Sequence, residues 1–193
     1  ECLKAAADRT SNLDLKVQLN RKAGDIYRGQ LDDRDRAIKA YERVINVDPN
    51  NSDVIRLVIS LYEEAKQWQR LLPRYESLLG LAESVDEQLE LLGQIRFLSE
   101  THLGSNQKAF EWCARAYALS PENAELKSEL ERLAEAADAH ASLAEILAAR
   151  VDEFDSEEEK LALLRQVAGI YDRSLDNLDA GEKYFRQILE REP

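Results

Sequence analysis

Residues 37–49, AIKAYERVINVDP, are the stretch that decides the fold of this 193-residue chain. Within it, Ala37, Tyr41, Val44 and Ile45 recur at helical spacing and would form one apolar stripe along a helix. Residues of similar type stand 72 and 144 positions after Ala37, Tyr41, Val44 and Pro49. The first set is Ala109, Cys113, Ala116 and Pro121, and the second is Gly181, Phe185, Ile188 and Pro193. The sequence therefore predicts a tandem repeat.

Residues that start helices recur with the same 72-residue period. Their short side-chain oxygens accept hydrogen bonds from the free N–H groups of a first helical turn. Ser84 and Ser156 are each followed three residues later by a Glu, the spacing of a capping box. The predicted caps are Asn12, Ser84 and Ser156 for long first helices, Asp33, Ser105 and Asn177 for their second helices, and Asn51 and Asn123 for shorter pairs.

These signals predict an all-α chain of about eleven helices, in which a long and a short helix pair alternate. Helices are expected at 52–65, 124–137, about 68–81 and 138–151, and Pro73 favours a start nearer Arg70 for the third of these because proline disrupts a helix interior. No sustained two-residue alternation predicts a strand. The predicted elements are a lone helix at 1–9 and antiparallel pairs at about 12–49, 52–82, 84–121, 123–152 and 156–193.

A repeat array has no internal domain boundaries, because each unit packs only on its neighbours. We therefore expect residues 1–193 to form a single array. The first residues, ECLKAAADRT, contain neither an initiator Met nor the pattern of a signal peptide, which indicates a fragment of a longer protein. No apolar run is long enough for a membrane span. We expect a soluble protein and favour the cytoplasm, although the compartment stays open.

Charge is unevenly distributed along the chain, whose net charge is −12. Residues 1–75 carry 14 basic and 12 acidic side chains, whereas residues 76–193 carry 12 basic and 26 acidic ones. This balance argues against nucleic acid as a partner, since phosphate binding needs a dense basic surface. It indicates instead a protein or peptide partner with a basic segment that contacts the acidic half, 76–193.

Signals for catalysis, metals or cofactors are missing from the sequence. There is no Gly-rich phosphate loop, nucleophile elbow or His-Glu metal motif. Cys2, Cys113, His102 and His140 are not at metal-ligand spacing. The consecutive acids Glu157–Glu159 lie at a helix start, where they complement the helix dipole. We therefore predict a protein that is not an enzyme and holds no cofactor or metal.

The residue pattern resembles the tetratricopeptide repeat, a helix pair with Gly and Tyr in its first helix and Ala, an aromatic residue and Pro in its second. The fit is best at Gly24, Tyr27, Ala37, Tyr41 and Pro49, with a loop one residue longer than in the family. The later pairs are degenerate. The resemblance implies a right-handed superhelical solenoid, whose first helices line a concave face that binds a peptide or a helix of a partner.

Mapping the family's groove-facing positions onto this chain gives a set of candidate partner-binding residues. An Arg among them has an alternative interpretation as part of a solvated helix face with partners one turn away. Phe97 could anchor a partner side chain or, if its helix is rotated, join the core. The candidates are Arg21, Asp25, Arg28, Arg56, Glu63, Phe97, Glu100, Arg132 and Arg165.

We therefore predict a protein–protein interaction scaffold. One alternative is a structural spacer within a larger multidomain protein, which would show a featureless charged face and no specific ligand. The other is the half-a-TPR repeat of RNA-processing scaffolds, which the stretch AYERVINVDP also resembles. Trp68 and Trp112 do not recur at the fixed places that the latter family favours.

Overall fold

The computed structural model describes residues 2–175 and 177–191, and these residues contain helices and connections but no strand. Their all-α composition confirms the predicted fold class. The α-helices are α1 (Cys2–Arg9), α2 (Leu13–Gly29), α3 (Arg34–Val47), α4 (Ser52–Glu64), α5 (Trp68–Leu81), α6 (Val85–Phe97), α7 (Asn106–Leu119), α8 (Ala124–Ala137), α9 (His140–Ala148), α10 (Glu157–Arg173) and α11 (Leu178–Arg191). Glu1, predicted in the lone first helix, and Pro193, predicted to match Pro49, lie outside the described residues.

The chain divides into two compact units, an N-terminal unit, Glu1–Leu98, and a C-terminal unit, Ser99–Pro193. In the N-terminal unit α1 packs on α2, and α2 to α6 pack each on the next along the chain. In the C-terminal unit α7 packs on α8, α8 on α9, α9 on α10 and α10 on α11. A single array over residues 1–193 stays a prediction.

Each long first helix begins at the predicted cap. The side chains of Asn12, Ser84 and Ser156 accept hydrogen bonds from the N–H three residues ahead, at 3.0, 3.2 and 3.4 Å. The caps Asp33, Asn51, Ser105 and Asn123 do the same for second helices and short pairs. At these seven helix starts a side chain fixes the first turn, whereas α5 and α9 begin without a side-chain cap.

The turn between a long first helix and its second helix also repeats in its backbone. The N–H of the second helix's cap donates to a carbonyl six residues back, from Asp33 to Tyr27, from Ser105 to Ser99 and from Asn177 to Tyr171, at 2.8, 2.8 and 2.9 Å. The residue before the cap turns left-handed, with φ of 48° at Asp32 and 63° at Gly104. A left-handed residue ends a helix without leaving its last carbonyls unpaired.

Helix α5 begins at Trp68, so the suggested start nearer Arg70 is wrong. Pro73 lies inside the helix and has no N–H to donate to the carbonyl four residues earlier. The Ser77 hydroxyl donates to the Pro73 carbonyl at 2.8 Å, one turn further on. A missing hydrogen bond in an early turn is thus tolerated.

Helix α9 is shorter than the predicted span from Asp138 to Val151. Asp138 adopts a left-handed conformation with φ of 53° and ends α8, and α9 runs from His140 to Ala148 before a 3-10 turn at Val151–Glu153. Lys66, 72 residues earlier, has the same φ and ends α4. Asp tolerates this conformation well because its short side chain can form hydrogen bonds locally. The prediction that a helix starts at Asp138 therefore missed this turn.

Helix α6 changes its winding before it ends. The α-helix ends at Phe97, and Leu98–His102 continue as a π-helix. The helices on both sides still start on the 72-residue period. No residue is inserted, so the spacing of the sequence could not reveal this segment.

The second helix of the best-fitting pair lies very close to its first helix. Ala37 and Tyr41 are fully buried, and a Cβ added at Gly24 would lie 2.7 Å from Tyr41 Cδ1. The small residues predicted at equivalent places, Ala109 and Gly181, are buried as well. The side-chain size at these positions therefore sets how closely two helices approach.

Helix α11 departs from the predicted equivalence. Phe185, predicted to match Tyr41, is 40% exposed, whereas its neighbour Tyr184 is 7% exposed and stacks on Tyr171 with ring centroids 5.5 Å apart. Both aromatic residues fit a helical period, so the prediction that Phe185 is the buried equivalent of Tyr41 was wrong. A one-residue rotation of the apolar face explains the difference.

The core of the C-terminal unit contains one polar atom without a partner. Tyr117 is fully buried in α7, and its hydroxyl has no hydrogen-bond partner among the described residues. Burial is the largest of the effects that raise the pKa of this hydroxyl. A buried unpaired donor costs folding free energy.

Within the described residues, no helix is both long and apolar enough to cross a membrane.

We expect Gly24→Ala to lower the free energy of unfolding by about 1–3 kcal/mol, because the added methyl group displaces the Tyr41 ring from a packed site. Gly93→Ala in α6 is the matched control, since a Cβ there meets nothing within 4 Å. Alanine's helix propensity should make that variant about 1 kcal/mol more stable. Urea denaturation followed by circular dichroism measures both; equal effects would contradict the close approach.

We expect Tyr117→Phe to raise the free energy of unfolding by about 1 kcal/mol, because it removes a buried unpaired hydroxyl while retaining the ring. Tyr41→Phe is the comparison, since it removes a hydroxyl that donates to Asp25. That variant should lose about 1 kcal/mol. Thermal and urea unfolding of the two variants test the difference, and a less stable Tyr117→Phe would show that the hydroxyl is satisfied.

Candidate functional site

The predicted partner-binding side chains all lie on the first helices or on the π-helix that follows α6. We call these nine residues the first-helix surface. Eight of them are exposed and Glu100 is half-buried. Six lie in the N-terminal unit, namely Arg21, Asp25, Arg28, Arg56, Glu63 and Phe97; three lie in the C-terminal unit, namely Glu100, Arg132 and Arg165.

Asp25 of the first-helix surface has a structural partner. The Tyr41 hydroxyl, from the second helix of the same pair, donates to Asp25 Oδ1 at 2.7 Å. Burial, and then the hydrogen bond to Asp25, raise the pKa of Tyr41 to about 12, while Arg28 acts in the opposite direction. Asp25 therefore holds the polar end of a buried ring, and Arg28 lies beside the same hydroxyl.

The same arrangement recurs in the short pair of the N-terminal unit. The Tyr75 hydroxyl of α5 donates to Glu63 Oε1 at 2.7 Å, and burial and this carboxylate raise the pKa of Tyr75. The Tyr62 hydroxyl of α4 donates to Glu42 of α3, so this contact joins two successive pairs. Two carboxylates proposed for a partner, Asp25 and Glu63, thus already accept bonds from core tyrosines.

Ion pairs connect neighbouring first helices within each unit. In the N-terminal unit Arg56 Nη2 donates to Glu87 Oε1 at 2.6 Å. In the C-terminal unit Arg132 lies 2.8 Å from both Glu129 and Glu100, and these carboxylates, Glu129 first, raise its pKa. Exposed pairs contribute about 0.2–1 kcal/mol each, so they orient side chains more than they stabilise the fold.

Phe97 is the only aromatic residue of the first-helix surface. Its side chain is 54% exposed at the C-terminal end of α6, and Ile95 and Leu98 beside it are buried. Of the two predicted alternatives, the exposed position applies. An exposed aromatic ring on a charged surface can bury apolar area against a partner.

A groove in the C-terminal unit was missed by the sequence-based prediction. It lies between the turn before α8 and the turn before α10, with a volume of about 430 Å³. We call it the acidic groove. Its apolar lining includes Pro121, Phe154 and Leu163, and its charged lining consists of Glu122, Glu153, Asp155, Glu159 and Lys127.

Three of the carboxylates of the acidic groove have different surroundings. Glu153 accepts from Arg150 at 2.7 Å, which neutralises much of its charge locally. Glu122 accepts from the Ser120 hydroxyl, which lowers its pKa and keeps it ionised. Asp155 is exposed in the turn. The sequence signal was the run DEFDSEEE at residues 152–159, an aromatic residue among six acids.

Among the described residues, no group of three or more His, Cys, Asp or Glu side chains is placed to hold a metal ion. His140 has carboxylate neighbours, Glu135 at 3.5 Å and Asp138 at 3.9 Å. Both carboxylates are largely exposed to solvent. The first-helix surface and the acidic groove therefore offer a partner charged side chains and apolar contact area.

Residues 20–51 match the family model described as the tetratricopeptide repeat. Comparison with curated proteins finds no match to the chain. Among solved structures, the chain is similar to MamA protein at 20% identity, with 91% of each chain covered and a TM-score of 0.44.

Two further solved structures are similar at comparable levels. A tetratricopeptide repeat protein from Parabacteroides merdae shares 18% identity, with 99% of this chain and 72% of that chain covered and a TM-score of 0.46. YrrB, a TPR protein, shares 12% identity, with 100% and 93% covered and a TM-score of 0.41.

We expect the fold to lose stability as pH rises above 10, and Tyr41→Phe to lose it less steeply. Below pH 10 both the folded and the unfolded Tyr41 are protonated, so the stabilisation is complete. Between the ordinary pKa of 10.0 and the folded value of about 12 the unfolded chain releases its proton while the folded chain retains it, so unfolding becomes more favourable.

Urea denaturation at a series of pH values on both sides of 10 measures this effect. The quantity compared is the slope of unfolding free energy against pH, which is independent of the lower starting stability of Tyr41→Phe. Lys and Arg titrations are common to both proteins. Identical slopes for the wild type and Tyr41→Phe would show that the pKa of Tyr41 is not raised by folding.

Proposed function

We propose that this chain, whose residues 20–51 match the tetratricopeptide repeat, acts as a scaffold that binds a peptide or helix of a partner protein through its first helices. Proteins of this family are generally scaffolds without catalytic activity. The proposed contact site is the acidic groove, and the proposed partner carries a basic segment with an apolar residue. The groove contains none of the nine residues of the first-helix surface, so a role for those residues stays a prediction.

The observation that supports this proposal is the acidic groove. Helices α8 and α10, both first helices, contribute Lys127, Glu159 and Leu163 to its lining. A groove with an apolar floor and a charged rim provides both parts of a peptide site, since burial supplies affinity and the rim supplies specificity. The rim has one Lys and four acidic side chains, so a Lys or Arg beside an apolar residue is complementary to it.

The charge distribution of the chain supports the same partner. Residues 76–193 contain 26 acidic and 12 basic side chains, and the acidic groove lies within this half. A field of one sign accelerates the approach of an oppositely charged segment. Phe97, exposed on α6, is a separate proposed anchor in the N-terminal unit.

The test uses the full chain and a fluorescein-labelled peptide rich in Lys and Arg with one central Leu. Fluorescence anisotropy gives its affinity. Glu122→Lys combined with Asp155→Lys reverses two carboxylates of the acidic groove, and we expect an affinity loss of about tenfold or more, equivalent to about 1.4 kcal/mol. The loss should shrink in high salt, since screening reduces the wild-type affinity.

The matched control is Glu111→Lys combined with Glu182→Lys, which makes the same change in net charge on exposed positions of α7 and α11. We expect a loss below about twofold in the control, because neither position lines the acidic groove and salt screens exposed charges. Equal losses in the two variants would indicate unspecific attraction. Failure of the wild type to bind, even in low salt, would support the alternative of a structural spacer.

A further inference from the structure

We propose that the N-terminal unit has a separate docking surface, formed by α1, α2 and α3, for a partner segment that carries an acidic side chain next to an apolar one. Two cavities lie side by side on this surface. Both are lined by Lys4 of α1 and by Ala23 and Tyr27 of α2. We call it the two-cavity surface. It has the opposite charge from the acidic groove.

The first cavity of the two-cavity surface is basic and has a volume of about 210 Å³. Its charged lining among the described residues is cationic: Lys4, Arg36, Lys39 and Arg43. The three cations of α3 follow one another at helical spacing and line the cavity together with Lys4. Because no carboxylate of residues 2–175 or 177–191 lines it, this part of the cavity carries positive charge.

Most of this positive charge is not neutralised within the unit. Arg36 lies 3.3 Å from Asp33 and its guanidinium lies over the Tyr27 ring, 5.8 Å from the centroid. Lys4, Lys39 and Arg43 have no ion-pair partner among the described residues. Four cations close together repel one another, and a bound carboxylate would relieve that repulsion.

A buried amide lies at the wall of the basic cavity. Asn20 is 2% exposed, and its Nδ2 donates to the Lys16 carbonyl at 2.9 Å. An amide nitrogen carries two hydrogens, so one further donor is available. A buried polar side chain next to unpaired cations gives the cavity directional hydrogen bonding in addition to charge.

The second cavity of the two-cavity surface is mainly apolar and has a volume of about 270 Å³. Leu3, Ile26 and Leu31 line it together with the Tyr27 ring and Cys2. Leu31 is 58% exposed, a large apolar side chain in the turn after α2. Tyr27 thus separates a place for an apolar side chain from a place for an anion.

Each of the two cavities is small. Sites for small molecules occupy about 300–1,000 Å³, larger than either cavity. Each cavity is therefore suited to a single side chain of a docked segment. The apolar cavity also favours a protein segment over a nucleic acid, whose phosphates would use only the cations.

The chain's own acidic run at residues 152–159 is not the preferred occupant. It contains acids around Phe154, but that ring is half-buried and packs against the core of the C-terminal unit. A second copy could therefore offer carboxylates to the basic cavity without an apolar side chain for its neighbour. We therefore assign the surface to a partner protein, and association of copies is an outcome that the test separates.

The experiment selects peptides from a random displayed library on the full chain and removes those that also bind a Lys39→Glu, Arg43→Glu variant. Lys39 is exposed and Arg43 is half-buried, and circular dichroism is used to check that the variant is folded. We expect the selected peptides to have Asp or Glu adjacent to Leu, Ile or Phe. A selection that yields no peptides, or peptides without acidic residues, would overturn the proposal.

The selected peptide is then synthesised, labelled and measured by anisotropy on single variants. Lys39→Glu should weaken binding about tenfold or more, and Leu31→Ala should weaken it by a smaller factor of about three to ten, since one apolar contact is lost. Lys108→Glu, at an exposed position of α7 that lines neither cavity, is the control with the same charge change and should have little effect. Equal losses for Lys39→Glu and Lys108→Glu would contradict the assigned surface.

Sedimentation of the chain alone, across concentration and salt, tests the other occupant. A monomer at every concentration agrees with a partner protein. Self-association that Lys39→Glu abolishes would overturn the assignment to a partner and place the acidic run of a second copy in the basic cavity. Because none of these variants alters the acidic groove, the outcome is independent of the proposed function.

Discussion

The contact between Gly24 and Tyr41 is the constraint on which the N-terminal unit depends. Without a Cβ at position 24, the Tyr41 ring can lie against the backbone of α2 and remain fully buried. The hydroxyl of that ring then reaches Asp25 on the outer side of the helix. One close approach therefore fixes the distance between two helices and the orientation of a surface carboxylate. Gly181 against Tyr171 provides a comparable close approach between α10 and α11.

The part of the fold that sequence could predict was the part encoded by local polar signals. Helix caps such as Asn12, Ser84 and Ser156 act within one turn, so their spacing transferred directly to the structure. Three features were missed. They are the left-handed Asp138 that delays α9, the π-helix after Phe97, and the burial of Tyr184 in place of Phe185. For the two aromatic residues both positions fit a helical period, and packing of Tyr184 on Tyr171 decides which one is buried.

The candidate site could be predicted only in part, for a related reason. Helical spacing placed the first-helix side chains on the surface, but it could not show that Asp25 and Glu63 accept bonds from core tyrosines. Those contacts join residues 12 to 16 positions apart across a turn. The acidic groove and the two-cavity surface combine residues from several helices and turns, so no single stretch of sequence contains them. Counting charged side chains along the sequence showed only that residues 76–193 are acidic.

The two cysteines differ in a way that matters for chemical study of the chain. Cys2 is exposed and lines the apolar cavity beside Leu3, whereas Cys113 is buried in the core of the C-terminal unit. Thiol reagents need an accessible thiolate, so they discriminate strongly between the two. Disulfide-exchange screening of small thiol fragments is therefore directed to one position of the unmodified protein. Fragments captured there would map the apolar cavity atom by atom, without a known partner in hand.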